Sequence, residues 1–201
     1  TLPEFRMEAV EFFLIEDMAE RDPQCYGTLW IKPRRLGETE KVMSRGVLIA
    51  TKYRKSWFGM QNKNDDDTKA NFDRAEVGAQ NLPYFFQPQL FSGDTPQKQM
   101  VWRFPQQMGS KKIDRSLELG SKMDFRATKT LAYDSKRLRY YNMDEPGKIS
   151  PKVMNCLTAW GVAKLCLSMY NGRKIIGKAA LTTTIEFMED GASVKVMQQF
   201  W

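Results

Sequence analysis

With 201 residues, 42% of them hydrophobic and 27% charged, the chain has enough apolar content to bury a core of ordinary size, and it reads as one compact domain over 1–201. The formal net charge of +7 points to an acidic partner, and the absence of histidine excludes Ser-His-Asp and Cys-His nucleophile systems, His-ligated zinc and HExxH chemistry. Cys25, Cys156 and Cys166 are odd in number and widely spaced, so neither a disulfide framework nor a thiol-bound metal is expected.

In chain order, Phe5 to Ile15 fits a strand slightly better than an amphipathic helix. Cys25 to Lys32 is rich in β-forming residues and closes at Pro33, which predicts a strand. Lys41 to Tyr53 has β-branched and long apolar residues about Gly46, which reads as a second strand with a bend, joined to the first as a hairpin. From about 56 to 107 the pattern fades among prolines and polar residues, the mark of an irregular or mobile segment with room for a short strand at Met100 to Phe104. Asp124 to Tyr133 and Arg137 to Met143 read as a further hairpin about Asp134-Ser135-Lys136.

The strongest pattern is a helix from Pro151 to Tyr170, capped by Ser150, stopped at Asn171-Gly172 and apolar around most of its circumference. Ile175 to Met188 follows as a long strand, and Ser193 to Phe200 returns after a turn at 189–192. Together these elements predict an α+β fold: a mainly antiparallel sheet of hairpins with one long buried helix near the C-terminal half. No run approaches the roughly 18 apolar residues of a membrane span, and no secretory signal pattern opens the chain, so an intracellular setting, cytoplasmic or nuclear, is expected.

Charge is uneven. Residues 102–140 carry 10 Lys plus Arg against 4 Asp plus Glu, and residues 32–55 carry 8 against 2. In both stretches the cations interleave with aromatic rings, the combination that neutralises a phosphate backbone and stacks single-stranded bases. The candidate nucleic-acid contacts are Arg34, Arg35, Lys52, Arg54, Lys55, Trp57, Arg103, Lys111, Lys112, Arg126, Lys129, Arg137, Arg139 and Tyr141. The alternation in Arg137-Leu138-Arg139-Tyr140-Tyr141 puts Arg137, Arg139 and Tyr141 on one pleat face.

Other motifs fail on spacing. Gly109-Ser110-Lys111-Lys112 lacks the glycine directly before lysine that a phosphate-binding loop needs. The acidic run Asn62 to Asp67 lacks the glycine and terminal glutamate of a calcium loop. Glu186, Glu189 and Asp190 lie near a turn and read as ordinary solvated acids.

These observations predict a non-enzymatic, self-associating protein without cofactor or metal that binds RNA or single-stranded DNA, of the viral coat, matrix or nucleoprotein kind, acting as a homo-oligomer. Two alternatives share the same cations: a scaffold on anionic membranes, and a histidine-independent enzyme acting on a phosphorylated small molecule.

Overall fold

The computed structural model describes residues 7–33, 37–86, 89–90, 99–103, 119–126, 128–150, 152–170 and 172–184. Helices α1 (Met7–Arg21), α2 (Glu38–Lys52), α3 (Asp65–Gln80) and α4 (Cys156–Cys166) alternate with strands β1 (Gly27–Lys32), β2 (Trp57–Gln61), β3 (Gln89–Leu90), β4 (Gln99–Arg103), β5 (Ser121–Phe125), β6 (Tyr140–Asp144), β7 (Met169–Tyr170), β8 (Lys174–Ile175) and β9 (Lys178–Thr184). One sheet has the order β1-β9-β6-β2-β5-β4-β3, and β7 and β8 form a separate pair. The first five strands of that order are all parallel; at the edge β4 pairs antiparallel with β5, and β3 antiparallel with β4.

The fold is therefore α/β, and the expected antiparallel α+β sheet is corrected. The difference begins at α2. Val42, Met43, Gly46, Val47 and Ala50 recur at helical spacing and are all buried, so they form one stripe facing the sheet. Gly46 is no strand bend. A Cβ there would lie 2.1 Å from Cε1 of Phe58, so glycine is what lets α2 approach β2 this closely. A helix after β1 turns the expected hairpin into a crossover to a parallel strand.

The expected hairpin across 124–143 is corrected too. β5 and β6 do not pair with each other; both pair with β2, which lies between them. α1 replaces the strand expected over Phe5 to Ile15, burying Phe12, Glu16 and Ala19 at helical spacing. Within the stretch read as irregular, residues 57–61 form β2 and 65–80 form α3. The acidic run starts that helix: the Asn64 side chain accepts from the Asp67 amide at 2.7 Å, and Asp65, Asp66 and Asp67 sit in the positive first turn. The long helix is shorter than expected, because Asn155 and not Ser150 caps α4, with its side chain accepting from Thr158 N at 3.0 Å. β9 is described as far as Thr184, and residues 185–188 of the expected long strand, with the turn and last strand expected over 189–200, lie outside the described residues.

The parallel strands are covered on both faces, as parallel strands generally are. On one side α1, α2 and α3 pack on Phe58, Met60, Met123, Phe125, Tyr140 and Ala180. On the other, α4 and the segment around Tyr133 pack on Tyr141, Met143, Ala179 and Leu181. Lys178, with its Nζ 2.6 Å from the carbonyls of Asp22 and Cys25, ties the end of α1 to β9. Among the described residues no helix is long and apolar enough to cross a membrane.

Candidate functional site

Because β1, β9, β6 and β2 point the same way, their carboxyl ends gather at one edge of the sheet, where open α/β folds place their ligands. Lys32 is level with Thr184, Asp144 with Thr182, and Gln61 with Met143. The parity of the pleat sends Asp144 and Thr182 to the face covered by α2 and α3.

β1 leads through Pro33 to Gly37, which stands in the left-handed region at φ 74° directly before α2 and provides no side-chain cap. Gly37 thus brings no side chain of its own to the first amides of α2, and the helix dipole adds positive potential there. The sequence Lys32-Pro33-Arg34-Arg35-Leu36-Gly37-Glu38-Thr39 matches the strand–loop–helix phosphate-binding pattern at its second glycine, Gly37, and its hydroxyl residue, Thr39. It departs twice: Lys32 stands where the first glycine would be, and Glu38 stands where the lysine would be. The Glu38 carboxylate is buried and bonded to Lys41 Nζ at 2.6 Å, and that ammonium also reaches the Glu8 carbonyl at 3.4 Å. Lys32 supplies a cation instead, its Nζ 3.2 Å from Thr39 Oγ1.

Opposite the loop, Asp144 closes β6 and is 4% exposed. Its Oδ1 accepts from Thr182 Oγ1 at 2.6 Å. Its Oδ2 accepts from Asn71 Nδ2 at 3.0 Å, Asn62 Nδ2 at 3.3 Å and Thr39 Oγ1 at 3.4 Å. Glu145 follows in the left-handed region at φ 54°, a conformation that breaks the strand and redirects its side chain. Its Oε2 accepts from Thr184 N at 3.2 Å and Thr184 Oγ1 at 3.1 Å and pairs with Lys148 at 3.0 Å. A hydroxyl, a cation, an uncapped helix start and two adjacent acids thus share one strand edge, which suits binding and cleavage of a phosphate ester.

Apart from Arg34 and Arg35, which fall inside the loop segment of this pattern, none of these residues is among the expected contacts. The Gly-x-Thr signal after a strand is legible in the sequence, but a strand expected over Lys41 to Tyr53 leaves no helix to follow the loop, and no lysine follows the glycine. Asp144-Glu145 after an apolar run is the second available signal.

Among the described residues, Lys52 and Arg139 of the expected nucleic-acid contacts meet on the Tyr53 ring. Arg34, Arg35, Lys111 and Lys112 lie outside the described residues, and Arg103 ends β4 opposite Gln89. Lys52, Arg54 and Lys55 lie at the C-terminal end of α2, the end away from Thr39. Lys129 and Arg137 are exposed. Arg139 is drawn inward over the Tyr53 ring, 4.3 Å from its centroid, and pairs with Glu20 at 3.3 Å. Tyr141 is fully buried and donates to Gln61 Oε1 at 2.7 Å, because both faces of β6 are covered.

Trp57 and Arg126 also meet. Trp57 Nε1 donates to Asp124 Oδ1 at 2.6 Å, Arg126 Nε donates to Asp124 Oδ2 at 3.1 Å, and Lys122 Nζ stands 3.4 Å from the Trp57 ring centroid. Burial pushes the Asp124 carboxyl above the ordinary range against the pull of the Trp57 hydrogen bond and Arg126. Burial likewise lowers the Lys122 ammonium.

The architecture and this edge define a class, an α/β domain with a phosphate-loop-like strand edge. No family model matches the chain, and no curated protein matches it in sequence. Among solved structures it is similar to the large terminase from a thermophilic bacteriophage (crystal form 2), with a TM-score of 0.60, 12% identity and coverage of 90% of this chain. The similarity covers 39% of that protein, so the chain spans about two-fifths of its length. At this identity the likeness is one of fold. The neighbour that shares the fold is an enzyme, a terminase, which counts against the expectation of a non-enzymatic protein and gives a coat or matrix protein no support.

Proposed function

We propose that this chain is a nucleoside-triphosphate-binding and hydrolysing domain of a terminase-like enzyme. The observation that carries the reading is the approach of Thr39 Oγ1 to the Asp144 carboxylate at 3.4 Å, from opposite sides of the strand edge and beside the uncapped start of α2. In phosphate-loop enzymes the hydroxyl of the loop and the acid closing a neighbouring strand share a magnesium ion. The donors here fit that ion. They are hard oxygens, and neighbouring ligands of an octahedral ion held at about 2.1 Å lie about 3 Å apart. Among the described residues no three acids or thiols converge. That suits magnesium, which takes one or two carboxylates and completes its shell with water and substrate phosphates.

Thr39 and Asp144 would hold the ion, which when bound neutralises charge on the β- and γ-phosphate oxygens. The first amides of α2 would cradle the phosphates, and Lys32 would supply the ammonium that the pattern elsewhere places after the second glycine. Glu145 is the carboxylate positioned to take a proton from the attacking water. The fold neighbour's name supports a viral setting and nucleic acid as the wider partner. Within that setting the Trp57–Lys122–Arg126 cluster is the part of the expected basic-aromatic surface that favours a polyanion contact.

The test is binding of a fluorescent ATP analogue and release of phosphate from ATP, each with and without magnesium. Thr39→Val and Asp144→Asn should weaken the magnesium-dependent part of binding. Glu145→Gln should keep binding while losing roughly 100- to 10,000-fold in turnover. Magnesium-independent behaviour in the wild type, or variants indistinguishable from it, would overturn the reading.

A further inference from the structure

We infer that Asn71 on α3 is a positioning residue for the metal-binding carboxylate, holding Asp144 turned toward Thr39. The inference rests on the nucleotide-hydrolysing reading and deepens it.

Asn71 shares the inner face of α3 with Thr68, Phe72, Ala75 and Ala79, where an apolar residue would pack without penalty. An amide at 4% exposure is costly to bury unless both its ends are bonded. Both are: Nδ2 donates to Asp144 Oδ2 at 3.0 Å, and Oδ1 accepts from Arg74 NH1 at 3.3 Å, one turn further along the helix. Arg74 thereby fixes the amide's orientation, since a flipped Asn71 would set two donors against each other and two acceptors against each other.

The chemistry of the donor matters as much as its place. A lysine or arginine at 71 would neutralise Asp144 and compete with a cation, whereas a carboxamide orients the carboxylate and leaves its charge for the metal. Thr182 holds Oδ1 at 2.6 Å from the neighbouring strand, so Asn71 and Asn62 decide where Oδ2 points. Such outer partners of a metal ligand set the ion's affinity without touching it. The bond also ties α3 to the site: a shift of this helix displaces the Asp144 carboxylate.

The experiment uses the full chain and three variants, Asn71→Leu, Arg74→Met and, as a control, Asp144→Asn. Manganese binding is followed by electron paramagnetic resonance with a non-hydrolysable ATP analogue, alongside the magnesium dependence of phosphate release and thermal unfolding. Asn71→Leu is expected to raise the half-saturating metal concentration about 10- to 100-fold while binding of metal-free nucleotide is unchanged. Arg74→Met removes the bond to the amide oxygen, leaving Asn71 held at one end only, and should raise it about three- to tenfold. An unchanged metal requirement in a folded Asn71→Leu protein overturns the inference, and if that variant does not fold, an unchanged Arg74→Met does so. If Asp144→Asn also leaves metal binding unaltered, the nucleotide-hydrolysing reading has failed; if Asp144→Asn abolishes it while Asn71→Leu does not, only the role of Asn71 has.

Discussion

Replacing Gly46 by alanine tests how tightly α2, and with it Thr39, is held against the sheet. The added Cβ would lie 2.1 Å from Cε1 and 2.4 Å from Cδ1 and Cζ of Phe58. Carbon atoms prefer about 3.5–4.0 Å, so roughly 1.5 Å must be found. Phe58 cannot supply it by swinging outward, because it is fully buried with its ring 5.4 Å from that of Tyr140. Overpacking of this kind costs about 1–3 kcal/mol, and this shortfall argues for the upper end. Alanine returns about 1 kcal/mol through its better helix propensity. The expected net loss is about 2 kcal/mol, or roughly 4–8 °C in Tm for a domain of this size.

Urea unfolding read by circular dichroism measures that loss directly. Combining Gly46→Ala with Phe58→Ala should be less destabilising than the sum of the two single changes by about 3 kcal/mol, because the small side chain removes the clash while the gain in helix propensity remains. On the proposed reading, a retreat of the helix by about 1 Å would also displace Thr39 and cost up to about 100-fold in ATP turnover. A Gly46→Ala protein as stable as the wild type, with an unchanged denaturant slope, would refute the claim that the contact between α2 and β2 is rigid.

The remaining predictions concern charge and reactivity. Burial raises the folded-state pKa of Asp124 above an unfolded value of about 3.9, so the native chain binds this proton more tightly. Its contribution to stability therefore grows as pH falls through the raised value and levels off below about 3.9. Asp124→Asn should remove that contribution and steepen the acid loss of stability; equal urea midpoints against pH for both proteins would contradict it. Lys148→Met releases Glu145 from a 3.0 Å ion pair and, on the proposed reading, should raise ATP turnover several-fold at constant KM; a fall would mean that Lys148 holds Glu145 in its working position. The Cys156 thiol is pushed up to about 11 by burial, so at pH 8 its thiolate should be about 100-fold scarcer than that of an ordinary thiol. Iodoacetamide mapped by mass spectrometry should modify half-buried Cys25 well before Cys156, and comparable rates would refute the burial.

The amino-acid sequence by itself determined what could be read from a few consecutive residues. The β-rich run closing at Pro33 became β1, the apolar stretch after residue 150 yielded the core helix α4, and the missing histidines removed whole classes of chemistry. It pointed the wrong way at α2, where a short apolar run with a central glycine reads as a bent strand and the structure has a helix. The order of the sheet was equally hidden, because β2 separates β5 from β6 although it precedes both in the chain. Only the tertiary structure decided the site. Thr39 and Asp144 stand 105 positions apart, Asn71 belongs to a third element, and the short signals around Thr39 and Asp144 do not say that the two meet. What unites them is the shared direction of the strands, which delivers every carboxyl end to one edge, and the close seat that Gly46 gives α2, which sets the hydroxyl of Thr39 within reach of a buried carboxylate.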